Sequence, residues 1–170
     1  QPIEQTATLR MIPNMDVWRP CDTVETFVAW QMAVEHKETP TALILTRQNL
    51  AHQERDAAQV KAIRQGGYVL KDCAGAPKAV IIATGSEVSL AVEAQKALAE
   101  KGIPVRVVSM PSSFMFEQQD KAYRDAVLPR GVPRVAVEAG VSGYWRQYVG
   151  LDGAVVGIDR FGECGPAGKV

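Results

Sequence analysis

AVIIATGSEVSLAVEAQKALAEKGIPVRVV, residues 79–108, is the stretch that decides the fold class. Its first part, AVIIA (79–83), is a short apolar run of the kind that buried strands carry. The segment that follows it is predicted to be a helix, which ends at Gly102 and Pro104, and the next strand is VRVV (105–108). Strand, helix and strand in this order predict a parallel sheet covered by helices. The helix is indicated by one apolar stripe on Leu90, Ala91, Ala94, Ala97 and Leu98.

The same alternation continues on both sides of this stretch. Before it, VLKD (69–72) is typical of an edge strand. We therefore predict an α/β fold with a three-layer α/β/α domain over residues 68–170 and right-handed crossovers. The later elements are a helix near 118–127, the strand RVAVE (134–138), a short aromatic helix near 142–149 and the strand AVVGI (154–158).

The amino-terminal part predicts a second, smaller α/β unit. Residues in loose alternation, several of them β-branched, predict a strand over residues 6–12. Asp22 begins a helix, with Glu25 in capping-box spacing. The apolar run TALILT (41–46) predicts a buried strand.

A polar segment separates the two parts. Residues 49–68 are polar, end in Gly66-Gly67 and leave room for a short helix. We therefore expect two small parallel-sheet units, one over residues 1–50 and one over residues 68–170, joined by a linker over residues 51–67.

The composition excludes several classes of protein. The chain has 170 residues, of which 19 are basic and 19 acidic, so it carries no excess charge for a nucleic-acid backbone. No apolar run approaches the roughly 18 residues that span a membrane. Cysteine is odd in number and widely spaced, which predicts free thiols in a reducing, cytoplasmic setting. The three cysteines are Cys21, Cys73 and Cys164. Together with the two histidines, His36 and His52, they do not have the spacing of metal ligands.

Arg47 is the strongest candidate for a binding residue. It directly follows the run 41–46, and ligands of open parallel sheets bind beyond the carboxyl ends of strands. Its planar, permanently charged guanidinium suits a phosphate. A surface salt bridge is the alternative, and position alone does not choose between the two.

Other polar residues near strand ends favour structural roles. Thr84 or Ser86 can cap the helix after the strand 79–83, and Glu87 would repel a phosphate from that turn. Glu138 could be catalytic or could cap the following helix, and because no histidine, serine or cysteine partner is evident, the structural role is favoured. Arg10 and Arg19 carry no functional signal of their own. The aromatic segment is expected in the core or at a domain interface; its residues are Tyr144, Trp145, Tyr148 and Val149.

Several strings of the chain resemble the transketolase family. They occur in the family's order over essentially the whole sequence: QPIEQTATLRMIPNMDVWRPCD (1–22), PTALILTRQNL (40–50), GGYVLKDC (66–73), IATGSEV (82–88), VRVVSMPS (105–112) and RVAVEAG (134–140). The resemblance implies that residues 1–50 end a pyrimidine-binding domain and that residues 68–170 form a C-terminal domain without its last helix. It also implies a homodimeric transferase that moves a two-carbon ketol unit between sugar phosphates, using thiamine diphosphate and magnesium or calcium.

The resemblance assigns a role to one residue only. The family's arginine in the T/S-R-Q-N-L string contacts the substrate phosphate, and Arg47 matches it. No catalytic, cofactor-binding or metal-binding residue of the family has a match here. The resemblance therefore implies a piece of a transketolase that is inactive alone and binds neither cofactor nor metal. The alternative is a stand-alone, non-catalytic α/β module that binds a ligand or a partner at the turn 84–87.

Overall fold

The computed structural model describes residues 3–162 and residue 165, and its strands form two sheets. The first sheet contains β1 (Asp16–Trp18) and β2 (Thr41–Leu43), which pair in parallel. Helix α1 (Gln5–Arg10) precedes β1, and helix α2 (Thr23–Glu35) connects the two strands. We refer to these four elements as the amino-terminal unit.

The second sheet has five strands in the order β3-β5-β4-β6-β7. Strand β3 is antiparallel to β5 at one edge, and the other neighbours are parallel. We refer to this sheet and its helices as the carboxy-terminal unit. The strands are β3 (Tyr68–Lys71), β4 (Ala79–Ala83), β5 (Val105–Ser109), β6 (Arg134–Val137) and β7 (Ala154–Val156).

Helices cover both faces of this sheet. Ile81 of β4 packs into an apolar cluster that includes α2 and α4 (Glu87–Glu100), whereas Ile82 packs into a second cluster with α6 (Lys121–Val127) and α7 (Arg146–Val149). Successive side chains of a strand point to opposite faces, so one apolar run supplies both clusters. The predicted three-layer α/β/α arrangement is confirmed. The helices are α3 (Ala57–Ala62), α4 (Glu87–Glu100), α5 (Ser113–Glu117), α6 (Lys121–Val127) and α7 (Arg146–Val149), with short 3-10 turns at Ile63–Gln65 and Ser142–Trp145.

Local sequence signals predict most of these elements correctly. Asp22 caps α2, since its side chain accepts a hydrogen bond from Glu25 N at 3.0 Å. Helix α4 ends before Gly102, whose N–H donates to Ala99 O at 2.9 Å. The segment 69–72 lies at the edge of the sheet, as predicted, because β3 has β5 as its one paired neighbour among the described strands.

The prediction of a strand over residues 6–12 is wrong. Most of this segment belongs to α1, where Ala7 is buried and Arg10 forms a buried ion pair with Glu138. Ala7 and Arg10 lie on one helix face, and these long-range contacts outweigh the β-propensity of the threonines. The strand of this region is β1, three fully buried residues that the sequence pattern does not indicate.

The strand predicted over residues 41–46 is shorter and less buried than expected. It ends at Leu43, and all three of its residues are half-buried. Within the described residues β2 pairs with β1 alone, so its other edge has no neighbouring strand to bury it.

Two expectations about α4 also need correction. Neither Thr84 nor Ser86 caps it: Ser86 makes no capping hydrogen bond, and Thr84 Oγ1 donates to Arg19 O at 3.1 Å. In the apolar stripe, Leu90 is 53% exposed. Ala97 of the same stripe is exposed as well. The buried residues of α4 are Val88, Ala91 and Val92, so two β-branched residues outside the predicted stripe are buried where Leu90 is not.

Candidate functional site

A cavity of about 260 Å³ opens where the carboxyl ends of strands from both sheets meet. Ligands of open parallel sheets bind at this kind of edge, so we take it as the candidate site. Its lining residues all follow strands: Arg19 and Pro20 after β1, residues 44–46 and Gln48 after β2, residues 85–87 after β4, and Ala139 after β6.

Arg47 lies beside this cavity, between the lining residues Thr46 and Gln48. Thr46 Oγ1 accepts a hydrogen bond from Gln48 N at 3.1 Å, which bends the chain at Arg47. Arg47 is exposed, and within the described part of the chain its side chain makes no hydrogen bond or ion pair. Its guanidinium is therefore available to an anion.

Arg19 occupies the turn over residues 84–87. Its Nη1 donates to Thr84 O at 2.8 Å, forms an ion pair with Glu87, and lies 3.5 Å from Glu138 Oε1. Glu87 also accepts a hydrogen bond from Ala139 N at 3.0 Å. Because a cation already paired with carboxylates fills this turn, the structural reading of the turn is favoured over an anion site.

Glu138 is a buried anchor at the end of β6. It accepts hydrogen bonds from Arg10 Nη1 and Nη2 at 2.7 and 2.8 Å and from Trp145 Nε1 at 2.7 Å. Burial raises the pKa of Glu138, but the hydrogen bonds and charge of Arg10, with the charge of Arg19, hold it below the ordinary value. The carboxylate is therefore charged and fully engaged, in agreement with the structural role expected for it.

The aromatic residues after β6 pack where the two units meet. Trp145 and Tyr148 are 1% and 5% exposed. The guanidinium carbon of Arg10 lies 5.0 Å from the ring centroid of Tyr144 and 5.3 Å from that of Trp145, within cation–π range. The prediction of core or interface residues is confirmed for this group.

A buried polar cluster joins α2 to the carboxy-terminal unit. Glu25 is fully buried and accepts hydrogen bonds from Tyr68 OH at 2.7 Å and Ser109 Oγ at 2.6 Å. Arg55 donates to Asp22 Oδ2 at 2.6 Å and to Tyr68 OH at 2.7 Å. We refer to these five residues as the inter-unit cluster.

The charges of the inter-unit cluster stabilise one another. Burial raises the pKa of Asp22, but hydrogen bonds from Arg55 and from the N–H groups of Gln53 and Glu25 bring it below its ordinary value. Burial lowers the pKa of Arg55, yet the neighbouring Tyr68, Asp22 and Glu25 raise it above the ordinary value. Asp22 and Arg55 are therefore a charged pair at neutral pH.

The cysteines and histidines that the structure describes do not gather into a site. Cys21 is buried and Cys73 half-buried, both as free thiols, while Cys164 lies outside the described residues. His36 lies 3.7 Å from Asp16, and His52 lies 3.7 Å from Asp22. Among residues 3–162 and 165, no three His, Cys, Asp or Glu side chains come together as metal ligands.

Two family models match the sequence. The one described as "Transketolase, pyrimidine binding domain" matches residues 1–53, and the one described as "Transketolase-like TK C-terminal domain" matches residues 66–170. The chain belongs to the transketolase family. The predicted family resemblance is thereby confirmed.

Relatives of known name support this assignment. Transketolase 1 of Escherichia coli strain K12 is 60% identical to this chain over 98% of its residues. The crystal structure of a transketolase complex with sedoheptulose-7-phosphate from Pichia stipitis matches 99% of the chain, with a TM-score of 0.90 and 42% identity. The transketolase from Leishmania mexicana matches with a TM-score of 0.91 at 47% identity over 99% of the chain. The chain spans about a quarter of the length of these transketolases, 25% of the first and 24% of the other two.

The described residues offer no ligand set for the divalent cation that the family resemblance implies. A hard divalent cation takes several oxygen ligands, and the described residues bring no set of three His, Cys, Asp or Glu together. Around the cavity, Arg19 and Glu87 are paired with each other. The candidate site of the described residues therefore consists of the cavity at the strand ends with Arg47 beside it.

Sequence reasoning proposes Arg47 but does not predict the long-range side-chain pairs of the folded chain. Arg19 and Glu87 meet across 68 positions of sequence, and Arg55 and Asp22 across 33. No local spacing marks such pairs. A paired change at two positions in related sequences is the signal that could reveal them.

In the part of the chain that the structure describes, no helix is long and apolar enough to cross a membrane.

Proposed function

We propose that this chain is part of an enzyme that transfers a two-carbon ketol unit between sugar phosphates, and that Arg47 binds the substrate phosphate. Membership of the transketolase family supports the reaction class. The observation that supports Arg47 is its position: exposed, without an ion pair among the described residues, and beside a cavity at the strand ends.

The chemistry of a phosphate suits this position. A guanidinium presents parallel N–H donors that match two phosphate oxygens, and its charge does not depend on pH near neutrality. The bend held by Thr46 and Gln48 exposes Arg47 while the loop on either side lines the cavity. A sugar phosphate entering at the strand ends would therefore meet a cation that has no other partner among residues 3–162.

The expected contribution of Arg47 is binding and orientation. The phosphate of a sugar phosphate lies at the end remote from the carbonyl where a ketol unit is transferred. A contact with that remote group holds the substrate in place and does not take part in the bond changes.

The rest of the proposal concerns the whole enzyme. We propose that it uses thiamine diphosphate, which stabilises a carbanion when bound, together with magnesium or calcium. We further propose that it acts as a cytoplasmic homodimer in the pentose phosphate pathway, without nucleic acid or membrane. The free thiols of Cys21 and Cys73 are compatible with a reducing compartment.

A ketol-transfer assay tests the reaction class. A full-length transketolase that contains residues 1–170 is incubated with a ketose phosphate, an aldose acceptor, thiamine diphosphate and magnesium. Formation of a ketose product lengthened by two carbons is the expected result. A folded full-length enzyme that binds thiamine diphosphate and makes no such product would contradict the proposal.

The alternative of a stand-alone binding module would place its site at the turn 84–87. The structure offers no observation in its favour, because Arg19 and Glu87 fill that turn with an ion pair.

A further inference from the structure

We propose that Arg55 is a positioning residue for Arg47, so that the carboxy-terminal unit helps to set how the enzyme recognises a phosphate. This inference rests on the proposed function of Arg47. It is based on how the loop between β2 and α3, residues 44–56, is held in place. We refer to this segment as the Arg47 loop.

The Arg47 loop is fixed at its two ends and exposed at its tip. At the start, Ile44 N donates to Trp18 O at 2.8 Å. At the far end, Gln53 N donates to Asp22 Oδ2 at 3.0 Å. Residues 45–49 between these anchors are exposed and lie outside any helix or strand. The direction of Arg47 therefore depends on the two anchors.

Arg55 closes the far anchor. Its Nη1 donates both to Gln53 O at 2.7 Å and to Asp22 Oδ2 at 2.6 Å, so one guanidinium nitrogen bridges the loop and the cap of α2. Its Nε donates to Tyr68 OH at 2.7 Å. The Arg55 side chain is 1% exposed, and these contacts leave it one orientation.

This arrangement connects the loop to the five-stranded sheet. Tyr68 is the first residue of β3, and its hydroxyl donates to Glu25 at 2.7 Å. Ser109, the last residue of β5, donates to the same Glu25 oxygen at 2.6 Å. The far end of the Arg47 loop is thus tied to two strands of the carboxy-terminal unit, even though Arg55 itself does not line the cavity.

Arg55→Lys is the variant that tests this role. Lysine keeps the charge beside Asp22 but has one nitrogen where Arg55 uses two, Nη1 for Gln53 O and Asp22 and Nε for Tyr68 OH, so it loses the connection between the loop and Tyr68. Assays use a full-length transketolase that contains residues 1–170. We expect KM for a phosphorylated donor to rise about fivefold to thirtyfold, with kcat and the kinetics of hydroxypyruvate nearly unchanged.

A double-mutant cycle separates positioning from general support of the fold. If Arg55 acts through Arg47, Arg55→Lys has no further effect on phosphate selectivity once Arg47→Ala is present. Arg10→Lys is the matched control, because Arg10 is 3% exposed, donates two hydrogen bonds to Glu138 and makes no hydrogen bond or ion pair with the described residues 44–56. We expect it to lower stability without changing the ratio of the two donors.

Tyr68→Phe provides a second test if Arg55→Lys does not fold. It removes the hydroxyl that Arg55 Nε binds and keeps the ring in the core, and we expect a selective rise in KM of about twofold to fivefold. Equal effects on both donors, or effects that add fully to those of Arg47→Ala, would overturn the positioning role. A failure of Arg47→Ala itself to discriminate the donors would instead overturn the proposed function.

Discussion

Arg10 and Glu138 form a buried ion pair that ties helix α1 to the end of strand β6. The two N–O distances are 2.7 and 2.8 Å, and both side chains are 3% exposed. The partners are 128 residues apart in the sequence. Removing one partner of a buried pair leaves the other charge without compensation, so the loss of either side chain is expected to destabilise the contact between the two units.

Glu138→Gln is expected to lower the free energy of unfolding by about 3 kcal/mol at neutral pH, because it leaves the Arg10 charge underpaired. Urea denaturation of the chain measures this loss. Glu117→Gln is the matched control, since its pair with Arg124 is half-exposed and is worth at most about 0.5 kcal/mol. Similar losses for the two variants would contradict the assigned weight of the buried pair.

The cost of Glu138→Gln is also expected to depend on pH. The folded chain holds the pKa of Glu138 below its ordinary value of 4.5. A carboxyl group with a lowered folded-state pKa contributes stability above its unfolded pKa and loses that contribution as the pH falls through the folded-state value. The difference between wild type and variant is therefore constant near neutrality and shrinks below about pH 4.5. A difference that is the same at pH 7 and in strong acid would contradict this.

Helix α2 presents an apolar face to solvent. Phe27, Trp30 and Val34 are 62%, 56% and 75% exposed and lie at helical spacing. We expect the 170-residue chain to self-associate and to bind a hydrophobic dye, because such patches favour association. Light scattering measures the association, and Phe27→Lys with Trp30→Lys is expected to reduce it.

Leu151→Lys is the control for this face, because Leu151 is 94% exposed and lies in the carboxy-terminal unit. It is expected to leave the association unchanged. A monodisperse monomer that binds no dye would show that the face of α2 does not drive self-association.

Limited proteolysis tests the predicted boundary between the two units. Arg47 lies in the exposed part of its loop, whereas the Arg55 side chain is 1% exposed. We expect the first trypsin cuts within the boundary segment 49–68 or at the exposed Arg47 just before it, and we expect a stable carboxy-terminal piece that mass spectrometry identifies. First cuts within residues 79–109 would contradict two separate folding units. The linker over 51–67 remains a prediction until this is measured.

Short-range sequence signals predicted the parts of the fold that depend on neighbours in the chain. Asp22 precedes α2 and caps it, and Gly102 follows α4, because both act on backbone groups within one helical turn. The run 79–83 is buried on both faces, as its apolar side chains predict.

Such short-range signals do not predict contacts between residues that lie far apart in the sequence. The sequence pattern predicts a strand where α1 forms, because the ion pair of Arg10 is with Glu138, far along the chain. Strand β1 has only three residues, too few for a period to be read. Arg47 is a candidate because it follows the apolar run 41–46 in the sequence, although β2 itself ends at Leu43, whereas the partners of Arg55 come together only in the folded chain.

The most direct test of the account is the steady-state kinetics of Arg47→Ala in a full-length transketolase that contains residues 1–170. With a ketose phosphate donor, we expect KM to rise and kcat/KM to fall about tenfold to a hundredfold, the equivalent of about 1.5–3 kcal/mol. Arg47→Lys is expected to recover only part of this loss, because an ammonium group cannot form the bidentate contact.

Arg130→Ala is the control, because it removes the same charge from a side chain that is 72% exposed and pairs with Asp125. It is expected to leave the kinetics with both donors unchanged. With hydroxypyruvate, which has no phosphate, Arg47→Ala should have little effect; equal losses for both donors would contradict phosphate recognition by Arg47.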